Sequence, residues 1–118
     1  MSLTIGSRKS SGGGGGGSTP NFVTKTSNYN ISITDDIIFV DTTGGAFTLT
    51  LPAPSSVSTT TTTKIYRIVD IGGVLNTNNL TLAPNSSEKI EGLAASKLLQ
   101  TNWGYWQVTT NHTDWFVG

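Results

Sequence analysis

The 118-residue chain has no cysteine, a single histidine, a single methionine, and only seven acidic and seven basic side chains. Each scarcity removes a class of chemistry. Without cysteine there are no disulfide frameworks, thiolate metal sites or cysteine nucleophiles, and the composition suits a reducing cytoplasm as well as a compartment indifferent to redox state. A net charge of zero, with 12% of residues charged, provides no basic footprint, so no nucleic-acid partner is expected. No apolar run approaches the roughly 20 residues that span a bilayer, and Met1-Ser-Leu-Thr-Ile-Gly6 lacks the hydrophobic segment of a signal peptide. A soluble protein made in the cytoplasm, with no membrane partner, is the expectation.

What the chain does have is threonine, serine, asparagine and glycine. Thr is β-branched and favours strands, while Asn and Gly accept turn conformations, so this texture points away from helices. The densest segment runs from Phe39 to Pro54: Phe-Val-Asp-Thr-Thr-Gly-Gly-Ala-Phe-Thr-Leu-Thr-Leu-Pro-Ala-Pro. It reads as a β-hairpin, with Gly44-Gly45 in the turn, Phe47, Leu49 and Leu51 on one face, and Pro52 and Pro54 ending the strand. Strands are expected over residues 22–26, 29–34, 37–41, 46–51, 64–71, 79–83, 104–110 and 113–117, at the even spacing of a sandwich or barrel. Ser55 to Thr63 is a low-complexity loop, and residues 93–99 fit a helical turn or a strand equally. The fold class is therefore all-β, a small antiparallel β-sandwich or barrel, with Phe47, Leu49, Leu80, Leu82, Trp106 and Trp115 pointing inward.

Residues 1–20 differ in composition and read as an extended Gly-rich N-terminal arm, leaving residues 21–118 as the β-domain. Arg8 and Lys9 precede six consecutive glycines, Gly12 to Gly17, the sextet most expensive in backbone entropy to order. Two readings stand. In one, the arm is captured in a groove of a larger assembly, with Arg8 and Lys9 as charged anchors and Gly14 and Gly15 passing where a side chain would clash. In the other it is an ordinary linker. Extended, about 20 residues at roughly 3.3 Å each reach on the order of 65 Å.

Candidate chemistry is sparse. His112 and Asp114 form a drawable dyad, but Thr110-Asn-His-Thr-Asp114 is a turn composition. Asp35, Asp36 and Asp41 are hard oxygen donors without the spacing of a calcium loop. Glu88 and Glu91 are the paired carboxylates a glycoside hydrolase would need, in a polar loop of a chain too short to frame a sugar cleft by itself. Gly44-Gly45 and Gly72-Gly73 lack the helix start and Lys-Ser/Thr of a phosphate loop. Asn30, Asn79, Asn85 and Asn111 sit in Asn-x-Ser/Thr triplets that matter only in a secretory host. No catalytic residue, cofactor or metal site is expected. Aromatic residues crowd the last sixteen positions, and of these Trp103 and Tyr105 are the candidates for exposed contacts, either stacking on sugar rings or meeting a neighbouring subunit.

The ordered series Asp41…Gly44-Gly45…Thr48-Leu-Thr-Leu-Pro52, Tyr66-Arg-Ile-Val-Asp-Ile-Gly72, Asn79-Leu-Thr-Leu-Ala-Pro84, Lys89-Ile-Glu-Gly92 and Trp115-Phe-Val117 resembles a β-module of tailed-bacteriophage virion proteins, over roughly residues 36–117. The resemblance implies a non-enzymatic structural protein of the virion, commonly homotrimeric, found in tail fibres, head fibres and capsid-decorating proteins. Its partners would be other virion proteins of the capsid or tail. The short chain favours a capsid decoration, cement or head-fibre protein attached through its arm; the alternative is a tail-fibre or tail-tip module binding host surface glycan. A surface-polysaccharide hydrolase is a more distant alternative.

Overall fold

The computed structural model describes residues 19–93 and 95–118. Among the described residues nine strands form: β1 (Phe22–Lys25), β2 (Tyr29–Asn30), β3 (Ile37–Val40), β4 (Phe47–Thr50), β5 (Tyr66–Asp70), β6 (Leu80–Ala83), β7 (Lys97–Leu99), β8 (Tyr105–Thr110) and β9 (Trp115–Val117), with one 3-10 turn at Pro54–Ser56. The protein is all-β, as expected. Its strands make two sheets, a five-stranded one in the order β1-β3-β5-β8-β9 and a four-stranded one in the order β2-β4-β6-β7.

The connectivity departs from the expected antiparallel pairing. The first six strands alternate between the sheets, so that β1, β3 and β5 run parallel in one layer while β2, β4 and β6 run parallel in the other. Only β7, β8 and β9 join antiparallel. The chain thus winds three rungs of a short β-solenoid and is then closed by three antiparallel strands. Gly44-Gly45 does not make a hairpin. Both edges of β3 are taken by β1 and β5, so β4 cannot pair with it and crosses to the opposite layer. Gly45, at φ 137°, lets the chain turn that corner, where its N–H donates to the Thr42 carbonyl at 2.9 Å.

Parallel register stacks like upon like. In the four-stranded sheet Phe47 lies beside Leu80 and Leu80 beside Leu99, while Leu49 lies beside Leu82. In the five-stranded sheet Val23, Ile38, Ile68 and Trp106 form one inward row. The two inner faces share one core, in which Phe47, Leu49, Leu80, Leu82 and Trp115 are buried as predicted. Each such side chain withdrawn from water contributes about 1.5–3 kcal/mol. Trp106 points inward but is only partly buried. The reason is local: β5 flanks Trp106 on one side, but β9 reaches only to Val117, opposite Val108, so no strand flanks it on the other.

The predicted strand 29–34 stops at Asn30. Asp35 Oδ2 accepts the Ser32 N–H at 2.8 Å, and Tyr66 Oη donates to the Ser32 carbonyl at 2.9 Å, diverting both backbone groups from any ladder. Ile31 is buried and Ile33 is exposed. Residues 93–99 resolve as a strand, β7, at their C-terminal end. The loop from Ser55 to Thr63 is mostly exposed, cross-linked by a Ser58–Thr63 bridge.

Candidate functional site

The most distinctive surface is the outer face of the five-stranded sheet. Period-two alternation sends Ile38, Val40, Ile68 and Val108 inward, so their neighbours must face out. On β1 and β3 those neighbours are Phe22, Ile37 and Phe39; Val69 follows on β5, with Ile71 continuing its line, and Tyr105 on β8. Phe22 and Phe39 stack edge to face with centroids 5.4 Å apart. By contrast, the outward positions of the four-stranded sheet are Asn30, Thr48, Thr50, Thr81, Ala83 and, as its one large apolar residue, Leu98. The two sides of the same domain differ in chemistry.

Trp103, in the turn before β8, is held by a buried carboxylate. Asp70, at the end of β5, accepts the N–H groups of Gly72 (3.0 Å), Gly73 (3.1 Å) and Trp103 (2.8 Å), tying the turn after β5 to the turn before β8. Trp103 takes a φ of 59°, and its ring lies over Gly73, where a Cβ would fall 2.3 Å from the ring. Gly73 itself has φ 74°. The motif Asp-Ile-Gly-Gly is therefore a carboxylate-anchored turn whose bare glycine makes room for an indole.

Both predicted contact residues are exposed, Trp103 at 68% and Tyr105 at 54%, and Tyr105 lies on this face. Arg8, Lys9, Gly14 and Gly15 lie outside the described residues. What sequence reasoning missed is the extent of the face: Phe22, Phe39, Val69 and Ile71 belong to it too. A signal was present in Ile37-Ile-Phe-Val40, four apolar residues without alternation, the pattern of a strand covered on both sides.

The titratable candidates are engaged elsewhere. Ser58 Oγ sits 2.9 Å from His112 Nδ1, a nucleophile–base spacing, but it also donates to the Pro54 carbonyl at 2.6 Å. With its proton on that carbonyl, Ser58 accepts from the imidazole and is not activated by it. Asp114 accepts the Lys89 N–H rather than facing His112. Glu91 pairs with Lys97 at 2.8 Å and Glu88 accepts the Ser86 N–H. Asp36 is held below the usual carboxylate range chiefly by its 2.7 Å bond to Lys64, with help from the Asn21 N–H. Asp41 is lowered by the backbone N–H and hydroxyl of Thr43.

Asp35 is buried beneath Tyr29 and Tyr66. Burial, then the 2.6 Å bond to Asp35, pushes the Tyr29 phenol up to about 12, and deeper burial raises Tyr66. Among the described residues no cluster of His, Asp or Glu could hold a metal ion. An open groove of about 750 Å³ is lined by Asn28, Tyr29, Asn30, Thr48 and Thr50, amides and hydroxyls without a general acid or base beyond a phenol that burial keeps protonated. No known family model matches the sequence, and no curated protein aligns with it significantly.

Proposed function

We propose that this protein is a non-enzymatic structural component of a tailed-phage virion, a capsid decoration, cement or head-fibre protein whose β-domain associates as a homotrimer and whose arm, residues 1–20, attaches it to the particle. The observation that carries the structural role is the apolar outer face of the five-stranded sheet, a surface suited to contact with protein rather than to turnover of a substrate. The ordered motifs from Asp41 to Val117 supply the assignment to the virion.

The test is stoichiometry. Mass-spectrometric quantification in purified particles should find the chain at a copy number near that of the major capsid protein. Deleting residues 1–20 should leave the β-domain folded and abolish binding to particles stripped of the native protein. Undiminished occupancy by the truncated chain would reduce the arm to a spacer, and a copy number of a few per particle would move the protein to the tail.

A second reading has its own observation. Trp103 and Tyr105, both exposed, with Gln107 and Arg67 on the same face as Tyr105, are the residue types that stack on and hydrogen-bond to sugars. A tail-fibre module would use them on host glycan, and a glycan array probed with the purified chain would register saturable binding lost in Trp103→Ala.

A further inference from the structure

We infer that the outer face of the five-stranded sheet is covered by a second copy of this chain, with Tyr105 and Val69 at the centre of the contact. The inference rests on the expectation that copies associate and names the face on which they do so.

Of the nine large apolar side chains exposed among the described residues, five lie on this one side: Phe22, Ile65, Ile71, Tyr105 and Phe116, each showing between 39 and 64% of its surface. The strand register fixes their common side. Phe22 pairs with Ile37, Ile65 and Ile71 share the parity of Arg67 and Val69, Tyr105 pairs with Val69, and Phe116 pairs with Thr109, two residues on from Gln107. At about 200 Å² per large side chain, the five present roughly 500 Å². That is in the upper part of the range for the largest patch on an ordinary monomer, about 300–600 Å². It supplies more than half of the about 800 Å² that each partner of a standard interface buries.

Size and charge then select the occupant. Five strands at about 4.8 Å spacing make the face roughly 19 Å wide, so a sugar resting on Trp103 and Tyr105 would leave Phe22 and Phe116 in water. A strongly charged partner has little to hold, since the face carries Arg67 toward one end and Asp41 at the other, one charge of each sign. A copy of this chain brings an equal apolar area, the same balanced charges and a net charge of zero, so association meets no long-range repulsion.

The experiment is multi-angle light scattering of the full chain at about 1–50 µM, comparing wild type with Val69→Arg, Tyr105→Lys and the control Thr81→Arg on the outer face of the other sheet. The Val69, Tyr105 and Thr81 side chains all point outward, so all three variants should keep a wild-type far-UV spectrum. Should Val69→Arg fail to fold, Tyr105→Lys places a charge in the same row. Wild type and Thr81→Arg should be oligomeric. Val69→Arg and Tyr105→Lys should be monomeric or dissociate at least about 30-fold more readily, as central anchors do when lost. An oligomeric wild type whose face variants keep their mass would overturn the inference while leaving the structural role intact. A wild type monomeric at 50 µM would overturn it outright, and particle copy number would still decide the structural role separately.

Discussion

Replacing Asp70 by Ala should be among the most destabilising single changes in this domain, although no core atom is lost. The carboxylate is 2% exposed and accepts from three backbone N–H groups, those of Gly72, Gly73 and Trp103. Alanine leaves all three donors without their acceptor. A buried donor stranded in this way costs about 1–3 kcal/mol, and because these turns are only partly buried the lower end of that range applies to each of the three, giving about 3 kcal/mol in all. That is a large fraction of the about 5–15 kcal/mol total of a small domain. Asp70→Asn keeps one oxygen but turns an N–H₂ toward a backbone donor, so its expected cost is about 2 kcal/mol. Urea unfolding followed by tryptophan fluorescence at fixed protein concentration measures both. If Asp70→Ala unfolds within 0.5 kcal/mol of wild type, a threshold taken from the usual scatter of surface substitutions at about ±0.5 kcal/mol, the carboxylate does not tie the two turns.

Four further outcomes follow from particular contacts. Leu82→Ala, in the fully buried Leu49–Leu82 row, should cost about 2–5 kcal/mol, whereas Trp106→Ala, half-buried at the open end of its row, should cost about 1–3 kcal/mol; thermal melts that rank them the other way would mean the Trp106 pocket is closed. Gly73→Ala combines a left-handed backbone with displacement of an exposed indole, so a loss of about 1–2 kcal/mol is expected together with a shift in tryptophan emission. Tyr29 titrates in the folded state at about 12, above its ordinary value of 10, so the stability it lends is complete below pH 10 and disappears as pH rises through 12; Tyr29→Phe should flatten that alkaline decline. Asp36 is shifted the other way by Lys64, so its contribution is present above the ordinary carboxylate range and lost as acid protonates it; the pair is partly buried at the surface and still reached by water, so Lys64→Met should lower stability at pH 7 by under about 1 kcal/mol and reduce the acid-limb slope.

Much of the fold was legible because strand formation is local. Thr48-Leu-Thr-Leu51 and Leu80-Thr-Leu82 alternate with period two, and that alternation places Leu49, Leu80 and Leu82 in the core whatever sheet they join. The exposure of Trp103 and Tyr105 was readable for the same reason, since Tyr105 has the opposite parity to Val108. Which strand neighbours which was not legible. Gly44-Gly45 serves a corner between layers as readily as a hairpin turn, because both need only a backbone free to take positive φ, and nothing between Asp41 and Ala46 records that both edges of β3 are occupied by residues 15 or more positions away.

Local pattern by itself determined that this chain would be strands with a leucine-rich interior, because side-chain parity is a property of consecutive residues. Only the tertiary structure decided that the strands wind as parallel rungs, that Asp70 reaches across to Trp103, and that five scattered exposed apolar residues gather on one face. Those are pairings between distant segments, selected by which arrangement satisfies the most backbone groups and buries the most apolar area together.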